Sequence, residues 1–188
     1  YDNDGFDDIY ISCILGPSKL FHNDGHGHFK DVAAQAGVTN SGHWGSGCTW
    51  VDYDRDGKLD LVVGNYCKWT PKTDVKCSVA AGVKSYCTPN VYDGEPAVLF
   101  HNEGNGKFKD VTKVAGLVNA PGKTWDVTVI DYDNDGWPDL VFANDMEPNC
   151  LFHNEKNGTF KEVGLEKGIA LGENGVAKAG MGLDVGDI

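Results

Sequence analysis

A nine-residue acidic pattern that recurs along the chain constrains the fold more than any other feature. Asp52-Tyr-Asp54-Arg-Asp56-Gly57-Lys-Leu-Asp60 returns as Asp131-Tyr-Asp133-Asn-Asp135-Gly136-Trp-Pro-Asp139. It also opens the chain, without its first position, as Tyr1-Asp2-Asn-Asp4-Gly5-Phe-Asp7-Asp8. After each copy comes a short apolar run, then Leu-Phe-His-Asn and a glycine-rich turn, at 20–23, 99–102 and 151–154. Asp31-Val32 through Gly37 is matched by Asp110-Val111 through Gly116. The spacings agree as well: Asp8 to Asn23 and Asp139 to Asn154 are both 15 residues, whereas Asp60 to Asn102 is 42. The middle copy therefore carries an insertion. Asp2 and Asp54, equivalent positions in consecutive copies, lie 52 residues apart. Self-similarity at such a period marks a repeat architecture, in which no unit buries its apolar faces alone. The units are expected at 1–51, at 52–130 with the insertion at 66–95, and at 131–186. Residues 187–188 would open a further loop at Asp187. With both ends inside a loop motif, the chain is expected to be an internal piece of a longer repeat protein.

Each unit reads as four short strands. In the second unit these are 59–65, 96–101, 107–111 and 125–131, with the glycine-rich turn 102–106 as a hairpin between the middle pair. Residues 32–37 suit a single helical turn closed by glycine. Glycine supplies 25 of the 188 residues, nearly twice its usual share, as a chain of many tight turns requires. The expected class is all-β, built from β-propeller blades, since four strands per unit of this length is the pattern of a blade. A stacked solenoid, the alternative, commonly has a shorter period. Three units do not close a ring, so other blades or chains are needed to complete a propeller.

The acidic pattern is itself a statement about chemistry. Carboxylates at positions 1, 3, 5 and 9, a backbone carbonyl at position 7 and a glycine at position 6 wrap hard oxygen donors around one point, which suits Ca²⁺ better than Mg²⁺ or zinc. Two carboxylates about 4 Å apart repel by roughly 4 kcal/mol at an effective dielectric near 20, and a divalent cation reverses that sign. The expected ligands are Asp52, Asp54, Asp56, Asp60 and the carbonyl of Lys58, then Asp131, Asp133, Asp135, Asp139 and the carbonyl of Trp137. The truncated loop offers Asp2, Asp4, Asp8 and the carbonyl of Phe6, and Asp187 would begin another. An EF-hand is excluded, because position 12 is Val63 or Phe142 rather than a bidentate glutamate, and the flanks are strand-like. The loops also account for much of the acidity. The formal net charge of −12 and pI of about 4.7 argue against nucleic acid and anionic lipid as partners, and no apolar run is long enough to insert directly in a membrane.

The acidic loop, the strand after it, Leu-Phe-His-Asn with its glycine turn, and Asp-Val through Ala-Gly together resemble FG-GAP/VCBS repeats, and more narrowly the cartilage acidic protein-like ASPIC/UnbV family. The resemblance covers nearly the whole chain outside the insertion. It implies an integrin-like, Ca²⁺-binding β-propeller of seven blades in the full protein, extracellular or periplasmic, that engages another protein or extracellular macromolecule.

The remaining candidates are weaker. Six cysteines in a turn-rich acidic chain fit an oxidising compartment. Cys67, Cys77 and Cys87 fall within the insertion as disulfide candidates, and Cys77–Cys87 is the simplest local pairing. His22, His101 and His153 hold one repeat position and are expected to be structural. His26, His28 and His43 are expected to be exposed turn residues, and Trp44, Trp50, Trp125 and Trp137 core or interface residues rather than sugar platforms. Asn157-Gly-Thr159 is a formal glycosylation sequon. The insertion gathers Lys68, Trp69, Lys72, Lys76, Lys84, Tyr86 and Tyr92 against an otherwise acidic background, and is the expected partner-contact loop. No nucleophile, phosphate-loop or zinc-protease motif is present. The expected function is therefore a non-enzymatic adhesion or interaction module. The alternatives are an accessory subunit of a membrane or electron-transfer assembly and a polysaccharide-active enzyme.

Overall fold

The structure is a computed structural model and describes residues 1–119 and 122–186. Three antiparallel sheets follow one another along the chain. The first holds β1 (Ile9–Ile11), β2 (Lys19–Asn23) and β3 (Phe29–Asp31), in that order. A single turn of helix, α1 (Ala33–Ala36), follows it and is closed by Gly37 in the left-handed conformation, as expected. The second sheet begins with β4 (Gly45–Val51) and β5 (Asp60–Asn65). The chain then leaves for a separate hairpin, β6 (Cys77–Ala80) and β7 (Val83–Ser85), and a 3₁₀ turn at Pro89–Val91. It returns as β8 (Val98–Gly104) and β9 (Lys107–Asp110), giving the order β4-β5-β8-β9. The third sheet is β10 (Thr124–Ile130), β11 (Asp139–Asn144), β12 (Cys150–Asn154) and β13 (Phe160–Glu162), again in chain order. Among the described residues no helix is long and apolar enough to cross a membrane.

The sheet period is out of phase with the sequence period. Each complete acidic loop is the turn between the first two strands of its sheet: β4 pairs with β5 from Val51↔Asp60 onward, and β10 with β11 from Ile130↔Asp139. Counting from the loop thus assigns each opening strand to the unit before the one it pairs with.

The sheets stack face to face, so the cores lie between them. Along β5 the side chains alternate between two clusters. Leu61 and Val63 pack with Tyr10, Leu20, Ala36 and Phe108 between the first and second sheets. Val62 packs with Leu99, Leu140, Phe142 and Phe160 between the second and third. A strand covered on both faces reads as an unbroken apolar run, which explains Leu61-Val-Val63. Opening strands β4 and β10 run side by side, and a Cβ at Gly47 would stand 2.7 Å from the Cα of Asp126. Only glycine permits that approach.

The outer face of the first sheet lacks such a cover. Ile9, Ile11 and Phe29 hold the positions of Leu61, Val63 and Phe108. They are 46%, 47% and 48% exposed, against 0%, 0% and 8% for their counterparts.

Candidate metal centre

Backbone conformation shapes each acidic loop before its carboxylates do. Position 4 is left-handed in all three copies (Asn3, Arg55, Asn134), and position 6 is a glycine, with φ of +86° at Gly57. Side chains then close the turn on itself. In the second copy Asp52 Oδ2 accepts the N–H of Gly57 at 3.0 Å, and Asp56 Oδ1 accepts that of Lys58 at 2.9 Å. The third copy repeats this, with Gly136 N–H to Asp131 at 2.9 Å and Trp137 N–H to Asp135 at 2.8 Å. In the truncated copy Asp4 accepts the N–H of Phe6 at 2.9 Å.

These turns bring carboxylates together in overlapping groups. Oxygens of Asp52, Asp54 and Asp56 lie within 4.8 Å of one another, as do those of Asp131, Asp133 and Asp135. Position 3 also joins position 9 and the histidine of Leu-Phe-His-Asn, giving Asp2–Asp8–His22, Asp54–Asp60–His101 and Asp133–Asp139–His153. Every expected carboxylate of the two complete loops thus falls in a cluster, while Asp4 of the truncated loop falls in none. Phe6, Lys58 and Trp137 stand at the bend where position 7 was placed, and Asp187 lies outside the described residues.

Position 9 differs from the others. Asp60 is fully buried. Its Oδ1 accepts the N–H of Asn102 at 2.7 Å and lies 3.0 Å from His101 Nδ1, and its Oδ2 accepts the N–H of Tyr53 at 3.2 Å. Asp139 makes the same set with Asn154 (2.8 Å), His153 (3.2 Å) and Tyr132 (3.2 Å). Burial pushes Asp60 up to about 6 despite those donors, and raises Asp139 for the same reason. This carboxylate ties the loop to the third strand of its own sheet. The histidines were expected to be structural; their contact with position 9 went unforeseen, although their repetition was the available signal.

The asparagine after each histidine was overlooked, and it reaches further. Asn102 donates to the carbonyls of Leu59 in its own loop and Tyr1 in the preceding one, both at 3.0 Å. Asn154 donates to Pro138 at 3.1 Å and Tyr53 at 2.8 Å. Tyr1 and Tyr53 rest on the phenylalanine of the following unit, with ring centroids 6.0 Å from Phe108 and 5.8 Å from Phe160. Asn3 donates to Gly57 O at 2.8 Å, and Arg55 covers the Trp137 ring at 5.3 Å. The loops consequently form one row, each bonded to the next.

The donor set fits a hard divalent cation. Asp52 Oδ1 is buried without a hydrogen-bond partner, a state that leaves a carboxylate oxygen short of the interactions it had in water. The ammonium groups of Lys58 and Lys156 sit on Asp56 and Asp135, the latter at 2.8 Å, and hold both carboxyls below the usual range. The residues able to hold an ion are Asp52, Asp54 and Asp56 with Asp60, and Asp131, Asp133 and Asp135 with Asp139.

The insertion corrects one expectation. Cys77 and Cys87 are disulfide-bonded, as the local pairing suggested, but Cys67 is a free, buried thiol. Its segment pairs with the returning end of the insertion through the bridge Cys67↔Gly94, away from the β6–β7 hairpin that the disulfide closes. Of the expected contact residues, Lys68, Lys72, Lys76, Lys84 and Tyr86 are exposed. Trp69 and Tyr92 are half-buried and engage Asp74. Among the described residues His26, His28 and His43 join no ligand cluster. Trp50 is an interface residue against Tyr1, Tyr10 and Phe108.

Antiparallel sheets stacked in series, each with an acidic loop at the same place in the repeat, define a β-propeller-like repeat protein. Within that class the chain belongs to the FG-GAP-like repeat family, whose pattern matches residues 1–63, 87–142 and 131–188. It is 31% identical to cartilage acidic protein 1 of Mus musculus over 137 residues and 30% identical to that of Homo sapiens over 139, each 73% of this chain. It is 28% identical to the Xenopus tropicalis protein over 144 residues, 76% of this chain. The chain spans only 17–18% of these relatives' length.

Proposed function

We propose that this chain is a calcium-binding, non-catalytic segment of an exported β-propeller, and that it serves as an adhesion or protein-interaction module. The observation that carries the reading is the row of acidic loops. Each of the two complete loops gathers three carboxylates within 4.8 Å, the Asp52 carboxylate has a buried oxygen lacking a partner, and each loop is bonded to its neighbour. Calcium held there by Asp52, Asp54, Asp56 and Asp60, and by their counterparts at 131–139, relieves the repulsion among the carboxylates and stiffens the edge that joins the sheets. The residues of the truncated loop, Asp2, Asp4 and Asp8, would serve in the same way once a first-position carboxylate preceded them. Export is supported by the Cys77–Cys87 disulfide and by relatives whose name ties them to cartilage. The lysine-bearing insertion is the surface proposed to meet the partner.

The uncovered outer face of the first sheet favours a closed ring, with Ile9, Ile11 and Phe29 covered by a further repeat. A separate chain seated on that face would make the protein an accessory subunit instead. Native mass spectrometry in calcium and after chelation tests both points. Two or more calcium ions on a single chain support the module, and a stable multi-chain particle favours the subunit. No bound calcium would overturn the reading.

A further inference from the structure

Beneath the insertion, where it folds back on Trp44 and the end of β5, lies an open cavity of about 610 Å³, within the range of small-molecule sites. Five aromatic residues line it: Trp44, Tyr66, Trp69, Tyr86 and Tyr92. Trp44 meets Tyr66 and Trp69 edge-on, with both centroid separations 5.4 Å. The polar ends of three of these rings are already engaged. Trp69 Nε1 donates to Asp74 Oδ1 at 3.0 Å, and the Tyr92 hydroxyl donates to the same oxygen at 3.1 Å. Tyr66 donates to Asp145 at 2.8 Å. Ring surface remains for a ligand, beside the polar ends of Trp44 and Tyr86.

Two charged groups of opposite sign share the lining, Asp74 and Lys84. Both hydrogen bonds from Trp69 and Tyr92 fall on Oδ1, leaving Asp74 Oδ2 as an acceptor. Those donors hold the carboxyl below its usual range, so it is ionised at neutral pH. Lys84 is exposed and makes no ion pair among the described residues. An organic cation would gain from Asp74 but meet Lys84, and an anion would face the reverse conflict. A neutral molecule with apolar ring faces and a rim of hydroxyls satisfies both, because a hydroxyl donates to a carboxylate and accepts from an ammonium.

We propose that this cavity binds a neutral saccharide of one or two rings, packed against the aromatic walls with hydroxyls on Asp74 Oδ2 and Lys84 Nζ. The site rests on the reading of the chain as an interaction module, names what one of its surfaces takes, and uses no residue of the acidic loops.

The test is saturation-transfer NMR and tryptophan fluorescence on the protein in calcium-containing buffer. Glucose, galactose, N-acetylglucosamine, maltose and lactose are titrated, with tetramethylammonium and sulfate as charged probes. At least one sugar should bind saturably, and Asp74→Asn should weaken it by about tenfold or more by removing a charged acceptor. Tyr86→Ala should weaken it as well. Because the Tyr86 side chain is 99% exposed, that variant keeps the parent fold even if Asp74→Asn disturbs the loop. No sugar signal, binding unmoved by both substitutions, or binding of a charged probe alone would each overturn the proposal. Calcium stoichiometry on the same samples separates the two readings. Calcium bound without sugar removes only this site, and absence of calcium removes the module reading whatever the sugars do.

Discussion

The acidic loops and the insertion lie in one chain yet are held by different means. A loop reaches the cores through its second-position tyrosine, as at Tyr53 and Tyr1. It is fixed by a buried aspartate beneath it, by an asparagine from the next unit and by the neighbouring loop, as at Asp60, Asn102 and Asn3. The insertion is fixed by a disulfide, a two-stranded hairpin and the Trp69–Asp74–Tyr92 cluster, with the bridge Cys67↔Gly94 at its base. Neither hydrophobic core between the sheets includes a residue of β6 or β7. A perturbation of the loops should therefore spread through the stack of sheets, and one of the insertion should stay where it is made.

Removal of calcium tests the difference most strongly. A site whose dissociation constant lies about 100-fold below the ambient ion adds roughly 2.7 kcal/mol, so two complete loops add on the order of 5 kcal/mol. At about 2–4 °C per kcal/mol for a chain of this size, chelation should lower the melting temperature by roughly 10–20 °C in calorimetry. Hydrogen exchange across 66–95 should change little in the same experiment. Equal loss of protection in both regions would break the comparison, and an unmoved melting temperature would remove calcium from the loops.

Substitutions inside a loop sharpen it further by separating ligand from tie. Asp60→Ala strands the buried N–H groups of Tyr53 and Asn102, at a cost of about 1–3 kcal/mol for each group left without a partner. That loss should appear in calcium and in chelator alike. The double variant Asp54→Asn, Asp133→Asn removes one carboxylate from the cluster of each complete loop, and neither ties backbone across the sheet. In chelator it should unfold within about 0.5 kcal/mol of the parent, as most substitutions at accessible sites do, and in calcium it should forfeit the gain from the ion. Matching behaviour of Asp60 and Asp54 would show that position 9 is simply another ligand.

The same distinction explains what was legible beforehand. Carboxylates at fixed spacing, glycine at position 6 and strands on either side follow from local chemistry, so the loops, the hairpins and the all-β class could be read directly. Cys77–Cys87 was readable because the two residues lie close along the chain. The asparagine tie was not, because its partner is 101 residues away in both Asn102–Tyr1 and Asn154–Tyr53. Self-comparison shows that the asparagine recurs, but only the stacking of units shows what it touches. The membership of β4 and β10 was displaced for a related reason: the loop is the conspicuous feature and makes a natural border, yet hydrogen bonding makes it an interior turn. The cavity under the insertion could not be read at all, since Trp44 and Tyr92 are brought together by a segment with no repeat to compare.

Asn154→Ala should have the next largest effect. It removes bonds to Tyr53 and Pro138 and also the acceptor for the Lys156 N–H, which lies 3.0 Å from Asn154 Oδ1. A loss of about 1–3 kcal/mol is expected, as for other buried hydrogen-bonding groups. Because the tie joins two units, the variant should also begin to unfold in two steps, with the third sheet leaving first. Denaturant melts followed by Trp125 and Trp50 fluorescence in single-tryptophan backgrounds would separate, and coincident transitions would show that the shared core alone sets cooperativity.

Reduction of the disulfide is expected to have the smallest global effect, and it reads the insertion directly. The chain-entropy account gives about 3 kcal/mol for closing a loop of 15 residues, and Cys77–Cys87 closes a separation of 10. That constraint acts on a hairpin which can open while both cores stay shut, so its loss is a local equilibrium rather than a change in the stability of the stack. Cys77→Ser with Cys87→Ser should leave the global melting temperature within about 2 °C. Amide protection should fall over β6 and β7, and the Trp69–Asp74–Tyr92 cluster should loosen, because Val75 and Tyr92 are bonded to each other across the segment that the disulfide closes. A large fall in the global melting temperature would mean that the insertion braces the sheets, and the two regions would then share one source of stability.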